Sequence, residues 1–154
     1  MLAYWLMKNE PDEFGIDTLA ACPGQVGFWD GIRSFQVRNM LRDRMHVGDL
    51  ALFYHSSVQP PGVAGICEIA SAAKVDPIQF DPASKYYDPK STPDKPRWLG
   101  VDVKFVRKLD RFITLSEIRA HTDDLGDFAL LRKANRLSVM PVTKEQWDLV
   151  LSLE

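Results

Sequence analysis

Leu50-Ala51-Leu52-Phe53-Tyr54-His55 and Val63-Ala64-Gly65-Ile66-Cys67-Glu68-Ile69-Ala70, separated by Pro60-Pro61-Gly62, read as a β-hairpin. Each run is short and bulky, and nearly every position is apolar, as in a strand covered on both faces. The Pro-Gly break between them cannot continue either strand and turns the chain back. Gly48-Asp49 makes the turn into the first run, and Gly65 inside the second predicts a bulge or the close approach of another backbone.

Working outward, Leu2 to Met7 is apolar at every position and predicts a third buried strand, with Lys8 and Asn9 at its polar mouth before Pro11 interrupts. Asp17 is expected to cap a brief helix through Thr18, Leu19 and Ala20, ended by Cys22-Pro23-Gly24. Phe28 to Arg33 reads as a loop carrying large aromatics, with Trp29 exposed in a turn beside Asp30-Gly31. Ser34 is the expected N-cap of a helix through about Asp43, with Val37, Met40 and Leu41 on one face and Arg38 and Arg42 on another.

Pro77 to Pro96 holds five of the ten prolines, which predicts a long irregular excursion from one domain, not a second domain. Val101, Val103 and Phe105 alternate with Asp102 and Lys104 as in a half-exposed strand. Thr114 with Glu117, and Thr143 with Gln146, fit capping boxes for two helices, and Arg136 to Val142 reads as a last strand between them. Five or six strands mixed irregularly with short helices argue against a doubly wound sheet. The expected class is α+β: a single domain over residues 1–154, built as a small curved sheet or open barrel with helices at its flank.

The 154 residues are 45% hydrophobic and 26% charged, the balance of one globular domain. No apolar run approaches the roughly 20 residues that cross a bilayer, and the N-terminus lacks the pattern of a secretory signal. A monomer away from membranes is expected, in the cytoplasm, or at the nucleoid or in the nucleus according to the cell. Cys22 and Cys67 are far apart with no second ligand pair, so neither a disulfide framework nor zinc is indicated. A net charge of -2 makes any nucleic-acid binding depend on a local basic surface.

The chain contains no P-loop, no Gly-x-Gly-x-x-Gly turn, no Gly-x-Ser-x-Gly elbow and no His-Glu-x-x-His. His55-Ser56 is the one local pair that invites a nucleophile, but neighbours on a strand point to opposite faces. Unstacked bases need flat side chains to stack on and polar groups for their edges, and Phe28, Trp29, Phe35, Tyr54 and Trp98 are candidate platforms. Arg33, Arg38, Arg42 and Arg44 form one locally basic segment, and Arg132, Lys133 and Arg136 a second. Core packing for the aromatics, and ordinary ion pairs for the arginines, are the competing readings.

Several segments together resemble the EVE domain family across nearly the whole chain: Tyr4-Trp5-Leu6-Met7-Lys8-Asn9-Glu10-Pro11, Trp29-Asp30-Gly31-Ile32-Arg33, Gln36-Val37-Arg38-Asn39, Phe53-Tyr54-His55-Ser56, Pro61-Gly62-Val63-Ala64-Gly65 and Arg136-Leu137-Ser138-Val139-Met140-Pro141-Val142. Asn9, Ser34 and Val37 depart from the Ser, Asn and Ala common there. The resemblance implies a PUA-like curved mixed sheet or pseudo-barrel, related to YTH domains that read N6-methyladenosine in RNA. It also implies a non-catalytic reader of 5-methylcytosine or 5-hydroxymethylcytosine in DNA, with no cofactor and no metal.

By the same analogy Lys8, Asn9, Trp29, Gly31, Ile32 and Ser56 line a pocket for a flipped base. Glu10, Asp30, Arg33, Ser34, Arg38, Asn39, Tyr54, His55, Trp98, Arg136 and Ser138 complete the candidate set. Two alternatives stand beside this reading. One is an RNA-binding module; the other is a small hydrolase like the ASCH domains, with Lys8, His55 or a nearby carboxylate active.

Overall fold

The computed structural model describes residues 2–154. The expected hairpin lies at the middle of the sheet: β3 (Leu50–His55) pairs antiparallel with β4 (Gly62–Ile69), and β1 (Tyr4–Asn9) runs parallel to β3 on its other side. Further out are β2 (Val26–Trp29), β6 (Leu99–Thr114) and β7 (Val139–Val142), giving the order β2-β6-β4-β3-β1-β7, with the short β5 (Lys74–Val75) beside β6. The path ends in two free edges, β2 and β7, so the sheet curves without closing into a barrel.

Register shifts at Phe53/Tyr54, Val63/Gly65 and Ile66/Cys67 bend the central strands. Gly65 serves both roles open to it. It sits at one of these shifts, and a Cβ there would come within 2.6 Å of the Ile16 side chain and 2.7 Å of the Arg107 carbonyl oxygen.

Both faces of the sheet are covered, which is why β1 is apolar at successive positions. On one face Trp5, Met7, Phe53 and Val103 pack with Ile16 and Leu19 of α2 (Ile16–Ala21) and with Val37, Met40 and Leu41 of α3 (Phe35–Asp43). On the other, Leu6, Leu52 and Ile66 pack against α4 (Leu115–Arg119), α5 (Thr122–Leu125) and α6 (Lys144–Ser152) through Ile118, Leu125, Trp147 and Val150. Ser34 caps α3 as expected, its hydroxyl accepting from the Val37 amide at 3.3 Å. The cap contributes about 1 kcal/mol. Burial of the three apolar side chains contributes about 1.5–3 kcal/mol each, so packing dominates. Both expected capping boxes are present.

Several boundaries differ from the sequence reading, each because a tertiary partner extends or trims an element. β1 continues through Lys8 and Asn9, since β3 offers Tyr54 and His55 as parallel partners. Pro11 opens a short helix, α1 (Pro11–Phe14), where its missing N–H costs nothing. The N-cap of α2 is Gly15, with Asp17 in the first turn. Phe28 and Trp29 belong to β2, paired with Asp102 and Val101, and not to a loop. β6 extends nine residues past Phe105 because β4 supports it as far as Thr114. The last strand begins at Val139, leaving Arg136 to Ser138 outside it. Among the described residues no helix is long and apolar enough to cross a membrane, and no group of three or more metal-ligating side chains occurs.

Candidate functional site

Where β1 ends, it brings polar side chains to the rim of the sheet. Backbone pairing continues past the strands: the Ser56 amide donates to the Asn9 carbonyl at 2.9 Å, and the Lys8 amide to the Ser138 carbonyl at 2.7 Å. Lys8, Asn9, Ser56 and Ser138 are thereby gathered on one wall of a cavity of about 160 Å³. An apolar cavity of about 150 Å³ holds a benzene ring, so the space matches one six-membered ring.

A second wall is made of Trp29, Asp30, Gly31 and Ile32, with Tyr86, and Glu10 and Glu13 complete the lining. Trp29 is not exposed in a turn; it is 2% accessible, packed edge-on against Phe14 and Phe53. It is a core residue that also borders the cavity, because β2 ends there and the chain turns away at Asp30. Gly31 adopts φ +79°, and a Cβ on it would lie 3.1 Å from the Tyr86 ring, so turn and close approach both require glycine.

Side chains from the 76–98 excursion hold this second wall. Asp76, fully buried, accepts from the Gly31 amide at 3.0 Å, from an Arg33 Nη at 2.9 Å and from the Ile78 amide at 2.9 Å. Arg33 also donates to the Tyr86 carbonyl at 2.9 Å, and its guanidinium lies between the Tyr86 and Trp98 rings. Its second Nη is buried with no hydrogen-bond partner among the described residues. Buried Gln79 donates to the carbonyls of Asp76 and Trp98 and accepts from Ser91 Oγ and from the amides of Arg97 and Trp98. Tyr86 donates to Glu13 at 2.9 Å, and Lys85 pairs with the same carboxylate, tying the excursion to α1.

The electrostatics of the cavity are uneven. Burial holds the Lys8 ammonium below the ordinary lysine range, and its Nζ lies over the Tyr54 ring, 5.6 Å from the centroid, with no carboxylate partner among the described residues. The Asp30 carboxyl is pushed above the usual carboxylate range, first by burial and then by the negative charge of Asp76. Asn9 Oδ1 accepts from the Glu10 amide at 2.9 Å, which leaves its Nδ2 free to donate.

The remaining candidates lie elsewhere. Tyr54 is buried in the second core, and His55 Nε2 accepts from the Ile16 amide at 3.1 Å on the opposite side from Ser56. His55 and Ser56 form no couple, as strand geometry predicts. Trp98 is buried, donates through Nε1 to Asp88 at 2.8 Å and stacks on Phe35 at 4.7 Å. Ser34 is spent on its cap. Arg38 holds the Asn39 side chain and the Arg97 carbonyl, and Arg42 pairs with Asp43. Arg132 pairs with Asp127, while Lys133 and Arg136 are exposed without an ion pair among the described residues.

Glu13 and Tyr86 line the cavity without having been singled out from sequence, and Asp76 and Gln79 organise it. The signal for Tyr86 was its place in a long Pro-rich excursion, and for Asp76 its position before Pro77, where it caps a 3₁₀ turn.

The EVE domain family matches residues 3–153. Thymocyte nuclear protein 1 of Danio rerio is 46% identical over 97% of this chain and 71% of its own length. The crystal structure of human THYN1 protein in complex with 5-methylcytosine-containing DNA superposes with a TM-score of 0.91 at 42% identity, covering 98% of this chain and 96% of that one. A YTH domain from the Zygosaccharomyces rouxii MRB1 protein, solved with N6-methyladenosine RNA, shares the fold at a TM-score of 0.52 and 12% identity over 99% of this chain and 83% of that one. The α+β architecture, a curved open sheet with short flanking helices, is the one that the sequence pattern implied, and the chain belongs to the EVE domain family.

Proposed function

We propose that this protein is a non-catalytic DNA-binding module that takes a C5-modified cytosine, flipped from the duplex, into the cavity between Lys8 and Trp29. One observation carries the reading: a relative 42% identical over nearly the whole chain was crystallised on 5-methylcytosine-containing DNA. The cavity adds chemical support, because it has the volume of one pyrimidine ring, an aromatic on one wall and separate donors and acceptors on its rim. Flipping costs a few kcal/mol, which stacking of about 1–3 kcal/mol and edge hydrogen bonds together offset. Arg136, exposed and two residues from the cavity-lining Ser138, would contact a phosphate flanking the flipped nucleotide in this reading, with exposed Lys133 as a second basic group.

A binding role is favoured because the relative of known complex is a DNA binder, and of the residues a hydrolase would use, His55 is engaged by the Ile16 amide of α2 and is not among the cavity lining. Fluorescence anisotropy with matched DNA oligonucleotides carrying cytosine, 5-methylcytosine or 5-hydroxymethylcytosine, and with the RNA equivalents, at two salt concentrations, tests the proposal. Tighter binding of modified DNA at both salts is expected. Equal affinity for modified and unmodified DNA, preference for RNA, or a mass change in the oligonucleotide on incubation would each defeat it.

A further inference from the structure

Asp30 and Lys8 are two groups of opposite charge that line one cavity, and neither forms an ion pair among the described residues; the one side-chain partner of the Lys8 ammonium is the Tyr54 ring, 5.6 Å from its centroid. Burial acts against the charge on both. Even half-buried, a charge without an ion-pair partner is disfavoured, and a ligand that presents a donor to the carboxylate and an acceptor to the ammonium offsets that cost. A carboxylate accepts and an ammonium only donates, so the ligand edge must read donor opposite Asp30 and acceptor opposite Lys8.

Cytosine has that edge: an exocyclic N4 amine next to the acceptors N3 and O2. Thymine carries the same C5 methyl as 5-methylcytosine but places O4, an acceptor, where cytosine has its amine. Resting on the proposed function above, we propose that Asp30 is the specificity-determining residue of the cavity. It accepts from the N4 amine, while Lys8, with Asn9 Nδ2, donates to O2, the acceptor that cytosine and thymine share. The carboxylate thereby excludes thymine, which size and methyl contact alone would admit.

Asp30 suits the task better than Glu10 and Glu13, the other carboxylates at the cavity. Glu13 is already held by Tyr86 and Lys85, and Glu10 stands at the start of α1. Asp30 instead sits between Trp29, locked in the core, and Gly31, whose amide is fixed by Asp76. Its carboxylate is therefore placed with little freedom to lose on binding.

The test measures affinity for oligonucleotides with one unpaired 5-methylcytosine, cytosine, thymine or uracil at the same position. Wild-type protein should favour 5-methylcytosine over thymine by tenfold or more. Asp30→Asn, whose amide can donate to O4, should lose that ratio or invert it, and Asp30→Ala should lose it without gaining thymine. Lys8→Met should weaken both ligands by similar factors, since both bases carry O2. Each variant is first checked for a wild-type circular dichroism spectrum; if one Asp30 variant is unfolded, the other decides. An unchanged 5-methylcytosine-to-thymine ratio in a folded Asp30 variant overturns the assignment, as does a ratio lost in Glu10→Gln but kept in Asp30→Asn. If the wild type binds 5-methylcytosine and cytosine alike yet rejects thymine and uracil, and the Asp30 variants lose that rejection, Asp30's role stands and the reading of the C5 modification fails.

Discussion

Lys8, Asn9, Ser56 and Ser138 occupy strand ends held by a continuous backbone ladder, whereas Asp30, Gly31, Ile32 and Tyr86 occupy loops held by buried side chains. The first wall is supported by main-chain hydrogen bonds that any sequence with the right apolar pattern forms. The second depends on a few polar atoms of Asp76, Gln79 and Arg33 being in register with backbone groups far away in sequence. A ladder spreads its support over many weak contributions; a hub concentrates it, and loses much when one residue changes.

The sharpest way to break this contrast is Asp76→Ala. It strands the Gly31 and Ile78 amides and the mostly buried Arg33 guanidinium, so the cost should be about 3–5 kcal/mol in urea denaturation. A loss under about 1 kcal/mol would mean that the loop wall does not depend on this carboxylate. Gln79→Ala removes the partner of two carbonyls, two amides and a hydroxyl, and is expected to cost about 2–3 kcal/mol. Hydrogen exchange should quicken at the Arg97 and Trp98 amides while those of β1 and β3 keep their protection; uniform acceleration would contradict a local hub.

On the ladder wall the sign changes. Lys8 has no ion pair to lose among the described residues, and desolvation of its ammonium opposes folding, so Lys8→Met should leave stability unchanged or slightly raised. Its affinity for modified DNA should nonetheless fall about tenfold, which is about 1.4 kcal/mol. Destabilisation by Lys8→Met would show that the side chain supports the wall instead of serving the ligand. The smallest effect belongs to Arg136→Ala, exposed and unpaired, with stability within about 0.5 kcal/mol of wild type. Modified and unmodified DNA should weaken equally, with the salt slope lower by about one, as for a single phosphate contact. A change in the modified-to-unmodified ratio would move Arg136 from phosphate to base.

The hairpin of β3 and β4, the buried β1, the Ser34-capped helix and both capping boxes were legible from residue order alone. Each is specified by residues within one turn or one alternation of one another. The sequence also placed Lys8, Asn9, Trp29, Gly31, Ile32 and Ser56 together through family resemblance, and the structure gathers these six at one cavity. That Trp29 is buried while bordering the cavity emerges with the fold, because its exposure depends on Phe14 and Phe53, which come from other elements. Likewise only the fold turned Arg33 inward to Asp76, spent Arg38 on Asn39 and Arg97, and brought Tyr86 from the irregular excursion to the cavity. Periodicity reports which face of an element is apolar. Which distant polar atom satisfies a given charge is settled by chain topology, since a hydrogen bond acts over about 3 Å regardless of separation in sequence.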